Sequence, residues 1–205
     1  MVKVKICGLS RMEDIVAVNR ALPDYIGFVF APSRRRVEAK AAAMFKDRLD
    51  PRIKSVGVFV NEDLGAVIAA VDSGIIDLVQ LHGDEDDEYV KRLKGSCGCP
   101  VIKAVGVGDV LPPLPREPDY LLFDTLSLAR GGGGKVFNWD ALGRYHGLPY
   151  FLAGGLNADN VEDAVKRLSP FAVDVSSGVE TKGEKDEKKI EGFISIVRNI
   201  KQREQ

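Results

Sequence analysis

The amino-acid sequence predicts an α/β fold, a (β/α)8 or TIM barrel in which residues 1–205 form a single domain. Eight short apolar runs recur along the 205 residues, and amphipathic segments separate most of them. Such repeated strand–helix alternation implies a parallel sheet, and eight units permit the sheet to close. An open doubly wound sheet is the alternative, but nothing in the sequence marks its nucleotide-binding switch point.

Several of the eight runs are near-continuous and rich in β-branched residues, as strands buried on both faces should be. They are Val2–Ile6, Tyr25–Phe30, Ile53–Phe59, Leu78–Leu81, Val101–Val105, Tyr120–Phe123, Tyr150–Leu152 and Phe171–Val175. In the first run charged and apolar residues alternate, which is typical of a strand and not of a signal peptide. No apolar run reaches the roughly 18 residues that a membrane helix needs. We therefore expect a cytoplasmic location.

Polar residues at the right spacing predict where three of the helices begin. Ser10 and Glu13 have the spacing of a capping box. Asn61 and Asn157 are each placed to serve as the N-cap of a later helix. The apolar stripes predicted to face the barrel are Ile15, Val16, Val18 and Leu22; Leu64, Val67, Ile68 and Val71; Val161, Ala164, Val165 and Leu168; and, in the last helix, Ile190, Phe193, Ile194, Val197 and Ile200.

Two connections between strands do not follow the helical pattern. The segment Asp109–Pro118 contains four prolines, so a long helix is not expected there. Gly131–Gly134 is a run of glycines and predicts a loop, with a short helix near Trp139–Arg144 after it.

Composition and cysteine content exclude several classes of partner. The formal net charge is −1, so no basic field indicates nucleic acid or a membrane surface. Cys7, Cys97 and Cys99 are an odd set and a poor disulfide framework. The Cys97–Cys99 pair is not completed by a second pair, and only two histidines, His82 and His146, are present. No metal site is predicted, and these two thiols are interpreted as loop or buried residues.

Two reactive side chains stand at predicted strand ends, where the functional groups of a barrel belong. Asp124 closes an apolar strand, and desolvation there would raise its pKa and suit it to act as an acid. Asp124 could instead cap a loop. Cys7 ends the first strand and could act as a base if nearby cations or amides favour its thiolate. Cys7 could also be a small buried residue.

Glycine-containing loops follow the seventh and eighth predicted strands. They contain Gly154 and Gly155, and Ser176, Ser177 and Gly178. Exposed amides in such loops bind anions, and in this fold the same two loops commonly hold phosphate. They could instead be tight turns that require positive φ. Because both loops agree, the sequence predicts a phosphorylated small molecule as the ligand.

Several cations near strand ends admit more than one interpretation. At most one of Arg34–Arg36 is expected to be functional, as a bidentate clamp on a carboxylate. Lys103 could form a Schiff base in an aldolase-like barrel, pair with Asp124 or Asp174, or point to solvent. His82 could polarise the substrate, shuttle protons or cap a turn.

Nine segments in order along the chain carry a family resemblance. They are Lys5-Ile6-Cys7-Gly8, Gly27–Phe30 with Ser33–Arg36, Gly57–Asn61, Val79–Gly83, Ile102–Ala104, Phe123–Thr125, Gly131–Lys135 with Phe137 and Trp139, Ala153–Asn157, and Val173–Glu180. From end to end the chain resembles the phosphoribosylanthranilate isomerases of tryptophan biosynthesis. The loop at Gly131–Gly134 departs from the family, which usually has threonine where this chain has Gly133.

The resemblance implies an Amadori rearrangement of N-(5-phosphoribosyl)anthranilate to an aminoketose, without redox cofactor or metal. It implies that Cys7 is the general base and Asp124 the general acid. Arg36, with Arg35 as the alternative, would bind the anthranilate carboxylate, and Asp174 would hold sugar hydroxyls. His82 is predicted among the substrate-binding residues, and the glycine loops are predicted to take the phosphate. A monomer and a homodimer both fit the sequence.

Overall fold

The computed structural model describes residues 1–125, 138–143 and 145–200. Eight parallel strands form a closed barrel in chain order, which confirms the predicted (β/α)8 TIM barrel. The strands are β1 (Lys3–Cys7), β2 (Tyr25–Val29), β3 (Lys54–Phe59), β4 (Leu78–Leu81), β5 (Val101–Val107), β6 (Tyr120–Thr125), β7 (Tyr150–Leu152) and β8 (Ala172–Val175). Each lies within two residues of its predicted bounds.

Pairing between the first and last strands closes the barrel. Lys3 lies opposite Ala172, and Lys5 lies opposite Asp174, in the parallel register of β1 and β8. Each of the eight strands thereby has two bonded neighbours. The open doubly wound sheet, which would leave two edges, is therefore wrong.

Within the described residues, six helices pack around the barrel. They are α1 (Met12–Ala21), α2 (Ala39–Lys46), α3 (Leu64–Asp72), α4 (Asp87–Cys97), α5 (Val161–Leu168) and α6 (Glu187–Asn199). None of the helices within the described ranges is long and apolar enough to span a bilayer. The stripe predicted for α6 is buried at Ile190, Phe193, Ile194 and Val197.

The two irregular connections follow the prediction where the structure describes them. Residues 108–119, all described, contain no helix, as the prolines predict. A 3₁₀ turn spans Trp139–Leu142, where a short helix is expected. Gly131–Gly134 lies outside the described residues. After β8 the chain forms a further 3₁₀ turn, Ser177–Val179, and a small hairpin of β9 (Glu180–Thr181) and β10 (Glu184–Lys185) that the sequence analysis did not predict.

The predicted start of α1 is wrong by one residue. The N-cap is Arg11, and the carboxylate that reaches back belongs to Asp14 instead of Glu13. Asp14 accepts hydrogen bonds from the amides of Ser10 and Arg11 at 2.9 and 3.1 Å. Glu13 and Val16 point outward and are exposed, so Val16 does not belong to the apolar stripe.

The predicted N-caps of α3 and α5 are also wrong. Asp63 caps α3 and accepts from the amides of Gly65 and Ala66. The predicted cap, Asn61, instead adopts a left-handed turn with φ 51°. The N-cap of α5 is Asn160, and Asn157 lies one turn earlier. At α3 the later candidate reaches the helix amides, whereas the side chain of Asn160 makes no cap hydrogen bond and instead accepts from the Asn157 amide at 2.9 Å.

The inside of the barrel changes from apolar to polar along its axis. An apolar cluster formed by Tyr25, Val56, Leu78, Ile102, Leu122, Phe151, Ala153 and Ala172 fills it. Because alternate residues of a strand share a face, Gln80, Asp124 and Asp174 follow Leu78, Leu122 and Ala172 on the inner face. All three lie toward the carboxyl ends of their strands, so the polar groups gather at that mouth.

Candidate active site

The thiol of Cys7 occupies a space that a glycine leaves open. Cys7 is the last residue of β1 and lies opposite Gly27 of β2. A Cβ atom on Gly27 would stand only 2.7 Å from Cys7 Sγ. Burial raises the pKa of Cys7, while the ammonium groups of Lys5 and Lys185 act to lower it. The thiol thus lies at the carboxyl mouth, with two cations that favour its ionised form.

Lys5 lies on the same face of β1 as Cys7 and is completely buried. Its Nζ lies 3.0 Å from Oδ1 of Asp174, and its charge interacts with Cys7 two residues along the strand. Burial opposes its charge, but Asp174 and Cys7 together raise the pKa of Lys5, so the amine stays cationic. Sequence analysis did not single out Lys5. Its position two residues before Cys7 on a strand was the available signal.

Asp124 lies near the end of β6, at the same mouth as Cys7. Its Oδ1 accepts a hydrogen bond from the Thr125 amide at 2.7 Å, and its side chain is 23% exposed. Burial raises the pKa of Asp124 to about 6, with a further contribution from the negative charge of Asp174. A carboxyl with this pKa is partly protonated near neutrality and can act as an acid.

His82 joins Asp124 to Gln80 of β4. The Nε2 atom of His82 is 3.6 Å from Asp124 Oδ2, and its Nδ1 is 3.0 Å from Gln80 Nε2. With the Gln80 amide donating, Nδ1 is the acceptor and the ring proton sits on Nε2, toward Asp124. Burial lowers the pKa of His82 to about 4, so the ring is neutral at pH 7. Gln80 Oε1 is buried and has no hydrogen-bond partner among the described residues.

Lys103 pairs with a residue that the sequence analysis did not consider. Its Nζ lies 3.0 Å from Glu85 Oε2 and 2.7 Å from the Gly83 carbonyl. Glu85 also accepts from the amides of Asn61 and Gly83, which joins the loops after β3 and β4. The suggested pairings with Asp124 or Asp174, and the solvent-facing alternative, are therefore wrong.

The position of Lys103 on β5 also bears on the aldolase-like alternative. Ile102 belongs to the cluster inside the barrel, so Lys103 points to the outer face. Its amine is thus separated by the strand from Cys7 and Asp124, which gives a Schiff-base role no geometric support.

The structure distinguishes the three consecutive arginines. Arg34 and Arg35 both bind Glu180, each with a closest contact of 2.7 Å. Lys185 binds the same carboxylate at 2.9 Å. The side chain of Arg36 is exposed and makes no ion pair with any described residue. Arg36 is thus the arginine of this run whose guanidinium remains available to a ligand.

Gly154, in the loop after β7, lies directly against Asp124. Gly154 and Gly155 have φ of +83° and +68°, as the tight-turn alternative requires. A Cβ atom on Gly154 would stand 2.6 Å from Thr125 Oγ1 and 3.2 Å from Asp124 Oδ1. Positive φ and close approach to the acid both demand glycine at position 154.

The loop after β8 packs against the loop after β7. A Cβ atom on Gly178 would stand 2.0 Å from the Leu156 carbonyl oxygen, so only glycine allows this contact. The Ser176 hydroxyl donates to the Cys7 carbonyl at 2.9 Å and fixes the loop to β1. The amides of Ser177 and Gly178 open a 3₁₀ turn and precede its first bonded amide, that of Val179. The structure therefore brings the two predicted phosphate loops together.

A closed parallel barrel with an acid, a thiol and two joined glycine loops at its carboxyl mouth defines a class of protein, the (β/α)8-barrel enzymes. Residues 4–196 match the family model described as N-(5'phosphoribosyl)anthranilate (PRA) isomerase. The chain belongs to this family.

Individual relatives are similar along their whole length. The isomerase of Endomicrobium trichonymphae is 49% identical over 201 residues, covering 98% of this chain and 100% of the relative. A solved phosphoribosyl anthranilate isomerase in complex with reduced 1-(o-carboxyphenylamino)-1-deoxyribulose 5-phosphate is 33% identical, with a TM-score of 0.80 over 98% of this chain and 100% of that chain. A structure of monomers generated from the dimeric Thermotoga maritima enzyme is 34% identical, with the same TM-score and coverage.

Proposed function

We propose that this chain isomerises N-(5'-phosphoribosyl)anthranilate to 1-(o-carboxyphenylamino)-1-deoxyribulose 5-phosphate in tryptophan biosynthesis. The observation that carries the proposal is the placement of Cys7 and Asp124 at one mouth of the barrel, both within the electrostatic reach of Lys5 and Asp174. An acid and a base on different strands of one cavity suit proton transfers at two separate atoms of a sugar.

The proposed mechanism begins with two proton transfers. Protonated Asp124 gives its proton to the ring oxygen, the furanose opens, and the nitrogen lone pair forms a protonated imine with the anomeric carbon. That imine acidifies the C–H bond of the adjacent carbon, and the Cys7 thiolate removes this proton. The Cys7 thiol then returns a proton to the anomeric carbon while the hydroxyl of the adjacent carbon gives its proton to the Asp124 carboxylate, so the enaminol becomes the ketone and both side chains regain their starting forms. Lys5 favours the thiolate because the charge of its ammonium group acts to lower the pKa of Cys7.

The polar groups around this pair are proposed to hold the two ends of the substrate. Arg36, without an ion pair to a described residue, takes the anthranilate carboxylate, whereas Arg35 is already bound to Glu180. Asp174 accepts from sugar hydroxyls, and neutral His82 presents an N–H donor beside Asp124. The phosphate is assigned to the loops that contain Gly154, Gly155, Ser176, Ser177 and Gly178.

The test is a direct assay with freshly prepared phosphoribosylanthranilate, following the decay of its fluorescence with and without protein. We expect strong acceleration, and almost complete loss of turnover in Cys7→Ser and in Asp124→Asn with an unchanged circular dichroism spectrum. Borohydride treatment with substrate should leave Lys103 unlabelled. Absence of acceleration, or a Lys103 adduct, would reject the proposed function.

The proposed substrate is a small phosphorylated sugar, and no nucleic-acid or membrane partner is proposed. Because the reaction belongs to amino-acid biosynthesis, we propose that the chain acts in the cytoplasm.

The oligomeric state is a separate question. One similar enzyme is dimeric and has been solved as monomers, so we propose either a monomer or a homodimer for this chain. Light scattering of the purified protein during gel filtration decides between them.

A further inference from the structure

Two thiols outside the active site lie against each other. Cys97 is the last residue of α4, Gly98 caps that helix in a left-handed conformation with φ +61°, and Cys99 follows. The two Sγ atoms are 3.1 Å apart. The left-handed cap turns the chain back, so that residues two positions apart face each other. Because the pair precedes β5, it lies at the end of the barrel opposite to Cys7 and Asp124.

The surroundings of the two thiols differ. Cys97 is half-buried, and its Sγ lies 3.3 Å from the Leu93 carbonyl, which accepts its proton. Cys99 then donates to Cys97, and only 8% of Cys99 is exposed. A reagent in solution therefore meets Cys97 first, and Cys99 is reached only through its neighbour.

We propose that Cys97 and Cys99 form a redox-active dithiol, which closes to an intrachain disulfide by exchange with a low-molecular-weight disulfide such as oxidised glutathione. The Cys97 thiolate attacks one sulfur of glutathione disulfide, forms a mixed disulfide and releases one glutathione. Cys99 then gives up its proton, attacks the Cys97 sulfur and displaces the second glutathione. Two cysteine thiols are oxidised by two electrons, and one external disulfide is reduced to two thiols.

The geometry supports closure and also predicts that the bond is reversible. The sulfur atoms must approach from 3.1 Å to about 2.05 Å. Gly98, the one residue between them, has no side chain to resist the movement. A ring that spans a single residue is constrained, and constrained disulfides are the more readily reduced ones. The pair is therefore suited to a reversible oxidation and not to a permanent cross-link.

The second step should depend on pH, because it requires the Cys99 thiolate. Burial and the neighbouring Cys97 raise the pKa of Cys99 to about 12, so few Cys99 thiolates exist at neutral pH. The mixed disulfide on Cys97 should therefore persist longest at neutral pH, and its conversion to the intrachain bond should accelerate as the pH rises.

The experiment treats the purified full chain with oxidised glutathione, traps free thiols by alkylation and identifies each cysteine by peptide mass spectrometry. We expect the Cys97–Cys99 peptide to lose two hydrogens without gaining glutathione, and to regain them with dithiothreitol. Cys99→Ser should instead keep glutathione on Cys97, and Cys7→Ser should behave as the parent chain. A glutathione adduct on Cys97 of the parent chain that does not convert to the intrachain bond when the pH is raised, or two thiols that remain free, would overturn the proposal.

Discussion

At the residue scale, the two groups assigned to proton transfer must be in opposite protonation states: Asp124 must carry its proton and Cys7 must have lost its own. Burial raises the pKa of Asp124 to about 6 and raises that of Cys7 above its ordinary value. The reactive form combines a protonated Asp124 with an ionised Cys7, so it is a minor microstate at every pH. Its population is constant between the two pKa values and falls on either side.

We therefore expect a bell-shaped pH dependence of kcat/KM, with the low-pH limb near the Asp124 pKa of about 6. The high-pH limb should lie above the ordinary thiol pKa, because burial is the largest influence on Cys7. Stopped-flow or steady-state rates across the pH range measure both limbs. The residual activity of Asp124→Asn should instead rise with pH, without a break near 6, until the Cys7 thiol is ionised, and a break that stays near pH 6 in that variant would contradict the assignment.

Burial of Asp124 also predicts that its ionised carboxylate destabilises the folded state. The pKa of Asp124 is higher in the folded chain than in the unfolded chain, so the folded state binds more protons between these values and loses stability as the pH rises through them. Asp124→Asn removes this cost, and at about pH 8 it should raise the free energy of unfolding by up to about 3 kcal/mol. Urea titrations should show the gain vanishing near about pH 4; an equal gain at both pH values would refute the explanation.

Sequence analysis identified Cys7 and Asp124 because each ends a strand, a position visible in the order of residues. It missed Lys5 because alternation along one strand does not show which face points inward. The partner that permits Lys5 to be buried, Asp174, is 169 residues away along the chain. Glu85 was missed for the same reason, since its role depends on Lys103 from a different strand.

At the element scale, the strands were predicted more accurately than the helix starts. A strand of a parallel barrel is buried on both faces, so its apolar run is visible in the sequence. An error of one residue at either end of the run still places the strand correctly. A helix start depends on which of several neighbouring oxygens reaches the first amides. Asn61 and Asp63 are both capable caps, and only the structure shows that Asp63 makes the bonds.

The observed start of α1 can be tested by comparing the loss of Asp14 with the loss of Ser10, the cap that the sequence predicts. Asp14 is 98% buried and satisfies the amides of Ser10 and Arg11. We expect Asp14→Ala to lower the free energy of unfolding by about 1–3 kcal/mol, because buried amides lose their acceptor. Ser10→Ala should change it by less than about 0.5 kcal/mol. Urea denaturation of both variants measures the difference, and equal losses would restore Ser10 as the cap.

At the scale of the whole molecule, one buried ion pair joins closure of the barrel to the chemistry at its mouth. Lys5 and Asp174 face each other across the pairing of β1 with β8, where the first and last strands meet. The same ammonium acts to lower the pKa of Cys7, and the same carboxylate contributes to the raised pKa of Asp124. A change in this pair should therefore alter both the stability of the fold and the pH dependence of turnover.

Lys5→Met tests both consequences in one chain. The substitution preserves most of the side-chain volume but leaves the Asp174 carboxylate buried without its partner, so the free energy of unfolding should fall by about 3–5 kcal/mol. Lys5→Met combined with Asp174→Asn removes the unpaired charge and should recover much of that loss in urea titrations. The cation that favours the Cys7 thiolate is absent from both variants, so the high-pH limb of kcat/KM should move upward in both. If stability returns in the double variant while that limb stays at its parent position, Lys5 stabilises the seam of the barrel but does not assist the base.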